Sequence, residues 1–274
     1  MTRLLMRYPG GRARVLSLSY DDGVIFDRRL IEIMQKNGIK GTFNLNSGSM
    51  PKEPSETNRR LCPADAVKLY LGSGMEVAVH GLHHPYWNQI PPALANYDIL
   101  SDRLNLEEMF GTVIRGAAYP FGATSDDAVA MLRAAGITYC RTTVSNENFS
   151  QPTDWLRMPT TCHHGNARLM ELADQFLNRK IIRAPLFFLV WGHSYEFNDN
   201  NNWEVIERFC EYMGGRDEVW YATNGEIYDY TEAFSRLQFS ANGNLVYNPT
   251  FTEVWFEMNG RPYSVKPGET RKLG

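Results

Sequence analysis

Two adjacent carboxylates, Asp21 and Asp22, end the apolar run Leu16-Ser17-Leu18-Ser19-Tyr20, and Gly23 follows them. Like charges side by side repel, and such a pair is commonly compensated by a cation. The plainer reading is a solvated turn, because Asp-Gly is a frequent turn pair. The densest histidine cluster, His80-Gly81-Leu82-His83-His84-Pro85, holds three of the six histidines. His80 and His84 lie four apart, so one helical turn would put both imidazoles on one face. With a carboxylate such as Asp22 they would form a two-histidine, one-carboxylate set for a divalent ion, with coordination positions left for water and substrate. A histidine pair at this spacing also arises by chance in solvated loops. His193, after the apolar run Phe187 to Trp191, reads either as a buried structural histidine or as a general acid titrating near neutral pH. Cys162-His163-His164 is a weaker candidate for a second metal cluster, since no partner spacing supports it. Tyr86, Trp87 and Trp191 lie near these groups in sequence and could stack on sugar faces, although core packing is the commoner fate of such rings.

The elements that must position these groups alternate. Strands are predicted at Val15 to Ser19, Thr42 to Leu45, Glu76 to Val79, Val113 to Ala118, Ile137 to Thr142, Leu186 to Val190 and Val219 to Ala222. Helices are predicted at Asp27 to Asn37, Pro63 to Leu71, Ala93 to Phe110, from Ser125 to before Gly136, and at Ala167 to Asn178, Trp203 to Met213 and Gly225 to Leu237. Ser47 to Arg60 and Thr143 to Gly165 read as irregular. Seven alternating units predict a parallel sheet with covered faces, as an incomplete barrel or an open doubly wound sheet. The unusual side chains gather at strand ends: Asp21 and Asp22 after the first, Asn44 and Asn46 at the second, His80 after the third, Arg115 and Tyr119 at the fourth, His193 after the sixth and Asn224 after the seventh. That end is where ligands collect in parallel α/β architectures, and the coincidence favours a site over a turn. After Arg236 short alternating runs punctuated by Asn242-Gly243 and Asn259-Gly260 predict antiparallel hairpins, covering one barrel end or serving as an interface strand.

Composition narrows the partners. A formal net charge of −3 argues against a broad electrostatic grip on nucleic acid. Cys62, Cys140, Cys162 and Cys210 are far apart and fit neither a zinc finger nor a disulfide scaffold. Met1 to Gly11 lacks an apolar core of the secretory type, and the most apolar stretch, Ala184 to Trp191, is far too short to span a bilayer. The expectation is a soluble, cytoplasmic protein with no membrane partner; self-association stays open.

Taken together, Ser19-Tyr20-Asp21-Asp22-Gly23, His80-Gly81-Leu82-His83-His84-Pro85, Arg115 ahead of Tyr119-Pro120-Phe121-Gly122, Asp154-Trp155 and Val190-Trp191-Gly192-His193 resemble the motifs of the polysaccharide deacetylase family, the NodB-homology domain of carbohydrate esterase family 4. The resemblance runs from about Arg14 to Tyr230. It implies a deformed (β/α)7 barrel, assigned to residues 1–236, and the hairpin runs beyond it make a small C-terminal β extension over 237–274. It implies a metal-dependent N-deacetylase holding one divalent ion, usually zinc, with cobalt, manganese, nickel or iron accepted. Asp22, His80 and His84 would be the ligands and Asp21 the general base. Arg115 would hold Asp21 ionised, His193 would protonate the leaving amine with Asp154 tuning it, and Tyr119 would offer its backbone amide to the oxyanion. The substrate would be an N-acetylated sugar or another small amide.

The sequence departs from the family at Gly81, where serine or threonine usually supports the second histidine. His84 then needs other support, from His83 or a water. Two alternatives accompany the deacetylase reading. One keeps the metal and changes the substrate to a ureide, as in allantoinase-like relatives. The other is a carbohydrate-binding barrel that has lost turnover.

Overall fold

The computed structural model describes residues 3–55, 57–182 and 184–274. The chain opens with β1 (Leu4–Arg7), then β2 (Arg14–Asp21), α1 (Asp27–Lys36), β3 (Gly41–Leu45), α2 (Pro63–Ser73) and β4 (Glu76–Val79). It continues through α3 (Pro92–Phe110), β5 (Gly116–Ala118), α4 (Asp126–Ala134), β6 (Tyr139–Ser145), β7 (Met158–Thr160) and β8 (Cys162–His163). Then come α5 (Leu169–Asn178), β9 (Leu186–Gly192), α6 (Ser194–Asp199), α7 (Glu204–Met213), β10 (Val219–Tyr221) and α8 (Asn224–Ser235). Five short strands finish it: β11 (Gln238–Phe239), β12 (Leu245–Tyr247), β13 (Val254–Met258), β14 (Arg261–Val265) and β15 (Thr270–Lys272).

The parallel sheet runs β7-β6-β5-β4-β3-β2-β9-β8, with β10 beside the first half of β2. Its two end strands belong to one extended segment. Residues 158–160 pair with β6 and residues 162–163 pair with β9, while Thr161 between them donates to the Leu189 carbonyl at 2.8 Å. One segment thus bridges both edges and nearly closes the ring, giving the deformed α/β barrel the sequence leads one to expect. β7, β8 and α6 fall in stretches expected to be irregular or unassigned; each is too short for a periodic signal.

Alternation along β2 sets the layers. Leu16, Leu18 and Tyr20 join Leu30, Ile31 and Met34 of α1 in the outer core, each fully buried aliphatic chain contributing about 1.5–3 kcal/mol. Ser17, Ser19 and Asp21 are equally buried but face the barrel axis. α1 forms because its apolar positions recur at helical spacing, with exposed Arg28, Arg29 and Glu32 opposite. Gly38, at φ 67, stops it, and Ser125 caps α4 by accepting from the Ala128 amide at 3.1 Å.

The tail forms two small antiparallel sheets, β11-β12-β15 and β1-β13-β14. The second takes a strand from each end of the chain, since Leu4–Arg7 pairs with Val254–Met258. Asn259 and Gly260, at φ 53 and 81, make the β13–β14 hairpin turn. Tyr230 of α8 ties this sheet down: its hydroxyl donates to the Arg7 carbonyl at 2.7 Å and accepts from the Trp255 amide at 2.8 Å. Met6 and Tyr8 pack with Val15, Tyr139 and Phe187, all at strand beginnings. The addition therefore covers the barrel end opposite the strand-end carboxylates. Among the described residues no helix is long and apolar enough to cross a membrane.

Candidate active site and metal centre

A cavity of about 640 Å³ opens at the carboxyl ends of the strands, lined by Asp21, Asp22, His80, His84, Tyr86, Tyr119, Phe121, Thr143, Trp191, His193 and Tyr195. Three of its residues, Asp22, His84 and Phe121, have φ of 84, 56 and 57. Non-glycine residues seldom adopt this region, and such strain concentrates at functional sites.

Asp22, His80 and His84 each offer a ligand atom, all within 4.8 Å of one another. His80 stands at the end of β4, with Nδ1 against the Ala118 carbonyl at 2.9 Å. A carbonyl only accepts, so Nδ1 carries the proton and Nε2 presents a bare lone pair to the cavity. The His84 Nε2 faces it at 3.0 Å. Burial holds both imidazoles below their ordinary pKa, and their proximity depresses each other's protonation further at His84. Two neutral imidazoles and a carboxylate converging in this way suit a divalent cation, so the residues present fit the metal that the motifs imply. Arg60 secures the carboxylate: it bonds the Asp22 carbonyl and reaches Oδ1 at 3.1 Å.

The histidine loop is held from behind by α3. Asp98 accepts from the Leu82 amide at 3.1 Å, the His83 amide at 2.9 Å and Trp87 Nε1 at 2.9 Å. Asp102 accepts from the His80 amide at 3.1 Å and from Ser47. Asn46 donates to the carbonyls of His80 and Gly81 at 2.6 and 2.8 Å. The support that Gly81 lacks thus comes through the loop backbone, with the His83 amide engaged rather than its ring. Gly81 itself is at φ 83, and a Cβ there would lie 2.6 Å from Asp98 Oδ2, which leaves no room for the family's serine.

Asp21 is buried beside this set. Arg141 Nη2 contacts both of its carboxylate oxygens, and Asn44 Nδ2 donates to Oδ1 at 2.8 Å. Burial alone would raise this carboxyl; the guanidinium, with His80 and His193, outweighs it and brings the pKa down to about 2. The group is an ionised acceptor throughout the neutral range. His193 Nε2 lies 3.9 Å from Asp21 Oδ2, and its Nδ1 is 2.9 Å from Glu196 Oε1. Burial would lower the His193 pKa, and the Glu196 hydrogen bond with the Asp21 charge raises it above the usual value instead.

Three sequence expectations change. Arg115 does not reach Asp21. It forms a partly exposed pair with Asp229 at 2.8 and 2.7 Å, because β5 begins only at Gly116 and Arg115 sits at the opposite barrel end. Arg141 of β6 holds Asp21 instead. Asp154 does not touch His193; it caps the turn Trp155–Arg157, accepting from the Leu156 amide at 2.9 Å and pairing with Arg157. Glu196 occupies the place beside His193. Tyr119 lines the cavity, but its amide donates to the Arg141 carbonyl at 2.9 Å and is spent in the sheet. The sequence carried one overlooked signal: Arg141 is a charged residue within the expected strand Ile137 to Thr142 of a covered parallel sheet, where burial requires an anion beside it.

Comparison with known proteins agrees with this architecture. Residues 8–140 match the family described as polysaccharide deacetylase. No curated protein matches the chain in sequence. Among solved structures, the chain is similar to one assigned as a polysaccharide deacetylase from Mycobacterium smegmatis, at 18% identity and TM-score 0.59, over 83% of this chain and 93% of that one. It is similar to a family 4 carbohydrate esterase from Streptomyces lividans in complex with acetate, at 16% identity and TM-score 0.52, over 76% and 91%. A Streptococcus pyogenes deacetylase in complex with acetate matches at 20% identity and TM-score 0.43, over 46% of this chain and 55% of that one. At these identities the first two likenesses are ones of fold.

Proposed function

From the match of residues 8–140 to the polysaccharide deacetylase family, we propose that the chain is a metal-dependent hydrolase that removes an N-acetyl group from a carbohydrate. One observation carries the reading. The ligand set Asp22, His80 and His84 stands beside a buried, ionised Asp21, whose Oδ2 lies 3.8 Å from His80 Nε2 and 3.9 Å from the Nε2 of a His193 held by Glu196.

Asp22, His80 and His84 would hold the cation, which when bound supplies Lewis acidity toward the amide carbonyl and acidifies a water. Asp21 accepts the proton of the attacking water at Oδ2, the oxygen that lies 3.8 Å from His80 Nε2 and 3.9 Å from His193 Nε2. Arg141 and Asn44 fix that carboxylate so that it reorganises little on reaction. His193 delivers a proton from Nε2 to the departing amine, while Glu196 steadies the imidazolium through Nδ1. Tyr86 and Phe121, stacked at 3.9 Å on the cavity rim and both exposed, offer a ring surface to a sugar face.

The test is acetate release from N-acetylglucosamine oligomers by protein stripped with chelator and reloaded with zinc, beside a panel of ureides. Acetate release that disappears on stripping and returns with zinc supports the reading. Hydrolysis confined to ureides, or saturable sugar binding without turnover in the zinc-loaded protein, overturns it.

A further inference from the structure

A second group of metal-ligating side chains stands at the same barrel mouth and shares no residue with the first. His163, His193 and Glu196 each present a ligand atom, all within 4.8 Å of one another. Glu196 Oε1 is 2.9 Å from His193 Nδ1, and Oε2 is 3.1 Å from His163 Nε2. His163 and Glu196 retain 30% and 26% side-chain exposure and His193 20%, so the group is open to a solvent ion. Glu196 is also anchored from within. Buried His164 donates from Nε2 to Oε2 at 2.8 Å, and its ring packs 4.1 Å from Phe197 and 5.7 Å from Tyr20. An anchored carboxylate with two imidazoles facing it is the arrangement that outer contacts create around metal ligands.

We propose that His163, His193 and Glu196 form a second divalent-cation site, and that its occupation inhibits the enzyme. This rests on the proposed role of His193. Two imidazoles and one carboxylate suit zinc, nickel or cobalt, as the first set does. Binding takes the place of the hydrogens that His163 Nε2 and His193 Nδ1 now direct at Glu196; each ring keeps one proton, which at His163 moves to Nδ1, the atom that now accepts from the Gly165 amide at 3.1 Å. A His193 ring coordinated at Nδ1 keeps one proton, at Nε2, but cannot become an imidazolium; giving up that proton would leave an imidazolate, so the ring is far too weak an acid to protonate a leaving amine. The first site is untouched, since none of its ligands is used.

The experiment is zinc titration of the stripped wild-type, His163→Ala and Asp22→Ala proteins, read as zinc bound per chain in equilibrium dialysis. Two equivalents are expected for wild type and one for each variant. The His163 imidazole signals in NMR should move with the second equivalent in wild type and with the single equivalent in Asp22→Ala. A wild-type chain that binds one equivalent, or a His163→Ala chain that still binds two, overturns the site. Activity is read separately: with excess zinc the wild-type rate should fall by about a hundredfold or more, as for loss of a general acid, and His163→Ala should keep its rate. Equal inhibition of both proteins overturns the inhibitory role. Failure of all three proteins to hydrolyse any amide sinks the deacetylase reading while the stoichiometry still decides the site.

Discussion

Arg141 and Asp21 form an ion pair wholly inside the barrel. One guanidinium nitrogen contacts both carboxylate oxygens, Nε reaches Ser19 Oγ at 3.1 Å, and the guanidinium lies 4.9 Å from the centre of the Trp191 ring. Arg141 is fully buried, and Asp21 keeps only 3% side-chain exposure, at the cavity. Removing the cation alone strands a buried charge, which costs about 3–5 kcal/mol. Arg141→Ala is therefore expected to lower stability by that amount in urea melts and to lower kcat/KM by about 10²–10⁴, as for a misplaced general base. Arg141→Lys cannot reproduce the planar contacts and should also lose activity. Arg115→Ala breaks only the partly exposed pair with Asp229, worth about 0–1 kcal/mol, and should leave kcat/KM within twofold or so of wild type. Reversal of that order would sink the assignment of Arg141.

This pair also marks where the sequence stops being legible. Strand-end clustering brings Asp21, Asp22, His80, His84 and His193 to one place, because the carboxyl ends of parallel strands share a face whatever the details of register. The partner of Asp21 depends on where a strand starts. Shifting the beginning of β5 to Gly116 leaves Arg115 at the wrong end and with the parity of Ala117, which packs outward. Glu196 was invisible for a similar reason: it becomes a neighbour of His193 only through the short helix Ser194–Asp199, which has too few residues to declare itself. The long elements, from α1 to α8, carried enough periodicity to be placed within a few residues.

Glu196 should set the alkaline limb of the pH profile. Its hydrogen bond and the Asp21 charge hold His193 protonated to higher pH than an isolated imidazole. Glu196→Gln removes the anion, so the His193 pKa should fall and activity should be lost at lower pH on the alkaline side. The measurement is kcat/KM against pH for both proteins at a zinc level that fills only one site. An unmoved alkaline limb would show that another group donates the proton. Asp154→Asn, by contrast, should leave that limb in place, since Asp154 contacts Leu156 and Arg157 instead.

Restoring the family's residue at position 81 should harm this chain. A side chain at φ 83 is strained by about 1–3 kcal/mol. Its Cβ would also press on Asp98 Oδ2, which cannot retreat without releasing Leu82 and Trp87. Gly81→Ser is thus expected to lower the melting temperature and weaken zinc binding, because the displaced loop carries His84. Equal or tighter zinc binding in the variant would show that the Asp98 support is dispensable.

Asp27 makes stability depend on pH in a direction opposite to ordinary acid denaturation. It is fully buried on α1, accepting from Tyr70 and Ser194 at 2.5 Å each. Burial pushes its carboxyl up to about 7, against hydrogen bonds that partly offset the rise. An acid whose folded pKa lies above its unfolded value of 3.8 binds its proton more tightly when folded. Its contribution is therefore complete below about pH 4 and is lost as pH rises through about 7. The shift corresponds to roughly 4 kcal/mol at most, at 1.36 kcal/mol per unit. Asp27→Asn mimics the protonated form at every pH. The stability difference between wild type and Asp27→Asn should accordingly move in the variant's favour from pH 4 to pH 7 and then level off. Urea unfolding across that range measures it, and a difference that stays constant with pH would mean that Asp27 is ionised in the folded protein.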